Sequence, residues 1–141
     1  MSSASRAHAV LLRIAFAVSV GVHLLVLYLP RVPAVAEVEV PGADKVAHML
    51  IFAGVILTGR LLGLSLAWLA PALIAHAFAS ELVQHLALPG RGGDWLDVLA
   101  NLGGVVLGWY LAGVITRHRL SGAGPAPSAP ARSGPPPSTP R

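Results

Sequence analysis

Four long apolar runs, separated by short breaks rich in proline, glycine and charge, set the pattern of this 141-residue chain. They cover residues 10–29, 45–64, 66–87 and 95–116. Each is close to the roughly 20 residues with which an α-helix, rising about 1.5 Å per residue, crosses the hydrocarbon of a bilayer. The breaks have physical causes. Pro30 and Pro33 bar continuation of the first helix, and a polar connection runs on to Asp44. Leu62-Gly63-Leu64-Ser65 predicts a tight turn between the second and third runs. Pro71 falls in the first turns of the third run, where a missing amide is tolerated, and Pro89-Gly90-Arg91-Gly92-Gly93 ends that run. Beyond Arg119 the chain is almost entirely Pro, Ala, Ser and Gly, with too little apolar surface to fold. The pattern predicts an all-α protein: a polytopic membrane bundle of four transmembrane helices in residues 1–120, and a disordered cytoplasmic tail in residues 121–141.

Composition agrees with a membrane bundle. Hydrophobic residues make up 55% and charged residues 11% of the chain, which is too little polar surface for a water-soluble shell. The net charge of +4 does not point to nucleic acid, because Arg6, Arg13, Arg60, Arg117 and Arg119 flank apolar runs instead of forming one basic face. They are topology signals. These five lie on one side of a four-pass bundle, against Arg31, Lys45 and Arg91 on the other, so the positive-inside bias predicts cytoplasmic amino and carboxy termini in a plasma membrane. A rival at the amino terminus is a cleaved secretory signal, with Arg6 and Arg13 before the apolar run and Ala34-Val35-Ala36 as the small-residue site; cleavage would leave three helices. The length of the apolar run and His23 within it favour a helix that belongs to the bundle. With no cysteine, disulfides and thiolate chemistry are excluded.

Against this apolar background a few polar side chains stand at membrane depth. A charge at a helix centre costs about 2.5–3.5 kcal/mol on insertion scales, so such residues need partners or a function. Helical spacing puts them on defined faces: Asp44, His48 and Phe52 on the second helix; Glu81, Gln84 and His85 on the third; Asp94, Asp97, Asn101, Gly104 and Gly108 on the fourth. With alternating helix directions all the polar positions fall at the outer end. Since lipid does not solvate these stripes, they are expected to face one another or a polar pocket open to the outside.

The same residues resemble a known family. Asp44-Lys45-x-x-His48-x-x-x-Phe52, then Glu81-x-x-Gln84, Arg91, and Asp97-x-x-x-Asn101-x-x-Gly104-x-x-x-Gly108 are similar to the signature of the VanZ-like membrane proteins. The match covers roughly residues 44–108, and the combination is more specific than any of its pieces. The resemblance implies a small multi-helix bacterial membrane protein, of a family named for a member associated with resistance to the glycopeptide teicoplanin.

Structural and functional readings compete at each position. Asp44 and Asp94 stand where helix N-caps are expected, and Asp97 fits the reciprocal partner of a capping box opened by Asp94. Asn101, Gly104 and Gly108 suit close helix packing with an interhelical hydrogen bond. Glu81 is either a buried ion-pair partner of Arg91, Lys45 or protonated His48, or a functional acid. His23 and His76 are lone histidines on apolar helices, expected to hydrogen-bond within the bundle.

No cofactor is expected; the alternative is a divalent metal held by His48, Glu81, His85 and Asp97. No nucleotide-binding loop, nucleophile elbow or H-E-x-x-H helix is present, so enzymatic activity has no motif behind it, although Ser80 adjoins Glu81. The leading expectation is a pocket for a membrane lipid or cell-envelope precursor. Lys45, Arg91 and His48 would attract it, and Asp44, Glu81, Gln84, Asp97 and Asn101 would shape it. An intramembrane enzyme built on Glu81, His48 and Asp97, or a structural partner in an envelope complex, is the alternative.

Overall fold

The computed structural model describes residues 3–29, 41–87 and 94–122. Four α-helices account for nearly all of them: α1 (Ser3–Tyr28), α2 (Ala43–Leu62), α3 (Leu66–Ala87) and α4 (Trp95–Gly122). All four are long and apolar enough to cross a membrane. Two helices exceed the apolar runs. α1 begins at Ser3 and takes in Arg6, and α4 continues through Arg117 and Arg119 to Gly122. Long basic side chains near a helix end reach the interface without breaking the helix, so hydropathy alone places such ends too early. Of the disordered tail expected over residues 121–141, Ser121 and Gly122 instead end α4, and residues 123–141 lie outside the described residues, as do residues 30–40 and 88–93.

Glycine shapes the ends of α2. Gly42 (φ 79°) precedes α2 in the left-handed region and its carbonyl accepts the Val46 amide, with no side-chain cap. The expectation that Asp44 caps this helix is therefore corrected: Asp44 sits inside the first turn, where its charge favours the helix dipole. Gly63 (φ 95°) closes α2; its amide bonds the Arg60 carbonyl and the Leu64 amide bonds the Gly59 carbonyl. Only glycine takes this conformation without strain, and the turn sends α3 straight back alongside α2.

The side-chain contacts give the topology. α2 and α4 run parallel, with Lys45 beside Asp97 and His48 beside Asn101 at one end. Farther along, α4 lays Gly104 on Met49 and Phe52, and Gly108 on Ala53 and Ile56. A β-carbon at either glycine would meet the backbone carbonyl oxygen of Met49 or Ala53, so the two helix backbones touch. α1 and α3 run antiparallel to α2: His23 meets Phe52 and Phe16 approaches Gly59 from α1, and Leu69 reaches Gly59 from α3. The amino terminus of α1 and the carboxy terminus of α4 share one end, where Arg119 Nη1 lies 3.4 Å from His8 Nε2.

The core is Leu27, Phe52, Val55, Ile56, Leu73, Ala77 and Val105, with Phe16, Val20 and Leu69 packed around it. Outward, the bundle presents Leu11, Val18, Leu25, Phe78, Leu86 and Val106. Inside, next to the apolar core, lie His23, His48, Ser80, Glu81, Gln84, Asp97 and Asn101. Apolar residues outside and polar ones inside is the arrangement a hydrocarbon solvent selects.

Candidate functional site

Seven of the eight candidate residues come together where α2 and α4 begin and α3 ends: Asp44, Lys45, His48, Glu81, Gln84, Asp97 and Asn101. The eighth, Arg91, lies outside the described residues. The group has two tiers. The outer tier is an ion cluster in which Asp44, Lys45 and Asp94 are partly exposed and Asp97 is buried. Lys45 Nζ stands 3.1 Å from Asp44 Oδ2, 3.2 Å from Asp94 Oδ2 and 3.2 Å from Asp97 Oδ1. One ammonium thus serves three carboxylates, and a lysine with three rotatable donors suits that task.

Asp94 holds the start of α4. Its Oδ1 accepts the Leu96 amide at 3.0 Å, and its carbonyl accepts the Asp97 amide at 2.9 Å. This is N-cap geometry, as expected. The bond from the Leu96 amide, followed by the Lys45 ammonium, holds the Asp94 carboxyl below the usual carboxylate range. The reciprocal half of the capping box is not what the spacing suggested. The Asp94 amide donates to Glu81 Oε2 at 3.2 Å, so the role expected of Asp97 is filled from α3, and Asp97 turns to Lys45 instead.

Beneath this rim the inner tier is buried. His48 Nδ1 lies 3.1 Å from Asn101 Oδ1 and 3.7 Å from Glu81 Oε1. Of the partners expected for Glu81, His48 is the one beside it among the described residues, where an ion pair would require a protonated imidazole, while Lys45 is occupied by the aspartates. Gln84, one turn beyond Glu81, donates from Nε2 to the Leu27 carbonyl at 3.0 Å. That carbonyl belongs to the last turn of α1. Through Glu81 and Gln84, α3 thus satisfies a backbone group at the start of α4 and another at the end of α1. Both residues have a fold role that sequence spacing cannot reveal, because the partners lie on other helices.

The inner tier also has unused hydrogen-bonding capacity. Glu81 Oε1 and Asn101 Nδ2 are buried and make no hydrogen bond among the described residues. His48, Glu81 and Asp97 each bring one ligand atom into a group whose members all lie within 4.8 Å of one another. His85, placed in that set by its spacing from Glu81, is exposed and does not belong to it. Ser80 is buried, but its hydroxyl donates back to the Ala77 carbonyl at 3.0 Å, which gives it no nucleophile's geometry.

The buried His23 and the half-buried His76 form a second group deeper in the bundle. His23 meets the Phe52 ring edge to face at 4.5 Å and lies 5.0 Å from His76, which in turn lies 5.9 Å from Tyr28. They are not lone as expected: their rings face each other within the bundle, and Nε2 of His76 makes no hydrogen bond among the described residues. Only the packing of α1 against α3 across Phe52 brings them together, and periodicity within one helix carries no trace of that.

A cleft of about 430 Å³ lies toward the opposite end of the bundle, lined by Arg60, Trp109, Tyr110, Thr116 and Arg117 among others. It does not include the polar cluster, whose inner members are buried against one another. No family model, curated protein or solved structure matches the chain.

Proposed function

We propose that this is a VanZ-like protein of the bacterial plasma membrane, with both termini cytoplasmic, whose outer-end polar cluster recognises a polar envelope component and thereby contributes to glycopeptide tolerance. The observation that carries this reading is the convergence of Lys45, His48, Glu81, Asp97 and Asn101, from three helices, into one cluster with a half-exposed rim and a buried floor. Burying four such groups costs more than an apolar interface of equal size, which favours a function at this place.

The electrostatics refine the ligand. Among the described residues, three aspartates (Asp44, Asp94 and Asp97) surround the Lys45 ammonium and the Glu81 carboxylate lies beneath them beside His48, so that these four acids and one lysine carry a formal balance of −3. Lys45 is held by its aspartates, so among the described residues a bare anion finds little free positive charge there. The rim suits an amine or hydroxyl donor, such as an amine-bearing lipid head group or the amino group of an envelope precursor. Mass spectrometry of the full chain in native detergent tests this. An amine-bearing lipid or precursor retained by the wild type and lost in Asp97→Asn is the expected result; the same complement in both removes recognition from this cluster.

Orientation has its own test. Reporter fusions after Gly63 and after Arg119 are expected to register cytoplasm, and fusions near Gly42 and in the α3–α4 connection the exterior, as the arginine distribution requires. An exterior carboxy terminus sinks the orientation and moves the cluster to the cytoplasmic face. A second reading, an intramembrane acid–base enzyme, draws on the 3.7 Å approach of His48 to Glu81. Turnover of a bound envelope lipid by purified protein distinguishes it from recognition alone.

A further inference from the structure

We propose that His48, Glu81 and Asp97, with Asn101 beside them, form a binding site for one divalent transition-metal ion of the zinc class. The inference rests on the same cluster being a site, and adds what occupies its floor. Each ligand comes from the body of a helix: His48 from α2, Glu81 from α3, Asp97 and Asn101 from α4. Sites on helices that already touch are held more firmly than sites on loops.

The distances suit an ion. Metal–donor bonds of about 2.0–2.2 Å put neighbouring donors of a tetrahedral site roughly 3.3–3.6 Å apart. His48 Nδ1 is 3.7 Å from Glu81 Oε1 and 3.1 Å from Asn101 Oδ1, and the ligand atoms of His48, Glu81 and Asp97 all lie within 4.8 Å of one another. Small side-chain movements close this set on a single ion.

The second observation is the state of Glu81. Its side chain is 8% exposed, its Oε2 is fixed by the Asp94 amide, and its Oε1 is turned toward His48 without a hydrogen bond among the described residues. A buried carboxylate oxygen left without a donor is costly, and native proteins rarely keep one without a reason. The Asp94 amide supplies the kind of outer contact that orients a metal-bound carboxylate. Charge points the same way, because a divalent ion reduces the formal −3 of the cluster's described residues to −1. One imidazole nitrogen with two carboxylates and an amide oxygen favours zinc-class ions over Mg²⁺, which prefers an all-oxygen shell with several waters.

The test uses tag-free, full-length protein in detergent, stripped with chelator, with Co²⁺ as the spectroscopic probe and Zn²⁺ as competitor. One Co²⁺ per chain, a visible spectrum of low-coordinate nitrogen–oxygen ligation, and displacement by Zn²⁺ but not by Mg²⁺ are expected. Glu81→Gln, which keeps an acceptor for the Asp94 amide, and His48→Gln are each expected to weaken Co²⁺ binding about tenfold or more, with His85→Ala unchanged. Sub-stoichiometric uptake by the wild type overturns the proposal, and so does equal affinity in helical, monodisperse Glu81→Gln and His48→Gln proteins. Loss of retained lipid in Asp97→Asn without any wild-type Co²⁺ uptake leaves the recognition reading standing and removes the ion. Stoichiometric uptake with an unchanged lipid complement does the reverse.

Discussion

Replacing Gly104 or Gly108 with leucine is expected to drive α4 away from α2 and abolish the bundle's cooperative thermal unfolding in detergent. A β-carbon at residue 104 would press on the Met49 carbonyl oxygen and come within 2.9 Å of Phe52 Cβ. At residue 108 it would press on the Ala53 carbonyl oxygen and come within 2.9 Å of Ile56 Cβ. Neither obstacle is the free end of a side chain, so the clash is relieved only by moving a helix. Overpacking costs about 1–3 kcal/mol even where side chains yield, and a rigid backbone contact belongs at or beyond the top of that range. Alanine at either position is expected to destabilise for the same reason. Gly103 supplies the control: a β-carbon there has Met49 Sδ at 4.0 Å as its nearest neighbour, so Gly103→Ala should be neutral or gain up to about 1 kcal/mol from helix propensity. Wild-type melting temperatures for both leucine variants would refute the contact.

The displacement has consequences beyond stability. The α2–α4 contact sets the register that places Lys45 beside Asp97 and His48 beside Asn101. Moving α4 by a side chain's width pulls both pairs apart, so the glycine variants are expected to lose the outer cluster along with the packing. A loss of function in them therefore says nothing about the cluster's chemistry, which needs substitutions that leave the interface alone.

How much of this was legible beforehand follows from the range of each interaction. The four spans are written in hydropathy, and the turn at Gly63 in its glycine, because both depend on neighbours a few residues away. The Gly104–Gly108 pair announces close approach, but its target, the Met49–Ile56 face of α2, is set by tertiary packing. The polar stripes point to one end of the bundle because helix directions alternate, and they do meet there. The partners within that meeting were not legible. Spacing favoured Asp97 as the reciprocal cap of Asp94, whereas Glu81 reaches across from α3 to fill it. Spacing put His85 beside Glu81 as a ligand, whereas the turn of α3 that faces α2 and α4 leaves His85 outside. The Gln84 bond to the Leu27 carbonyl spans 57 residues and leaves no local trace.

Glu81→Gln is expected to fold and accumulate like the wild type and yet fail in an envelope-stress or glycopeptide-tolerance assay. Among the described residues no open pocket exposes Glu81 and His48, which lie buried beneath the Lys45 cluster, so water does not soften the loss of a charge there. Tolerance must then come from geometry. A glutamine carbonyl can still accept the Asp94 amide now bonded at 3.2 Å, so the start of α4 keeps its partner, and the stability change should stay within about 1 kcal/mol. Glu81→Leu, which strands that amide, should cost about 1–3 kcal/mol and separates the fold role from the charge. His48→Ala is the harsher change, because it leaves the fully buried Asn101 without its described partner, at a similar cost of about 1–3 kcal/mol. His48→Gln retains a donor for Asn101 Oδ1 and is the more informative variant. If Glu81 serves only the fold, Glu81→Leu fails while Glu81→Gln and His48→Gln keep the full phenotype. If the cluster acts through its carboxylate and imidazole, both glutamine variants reach the membrane at wild-type levels and fail. Retention of the phenotype by both would leave a structural partner in an envelope complex as the stronger account of this protein.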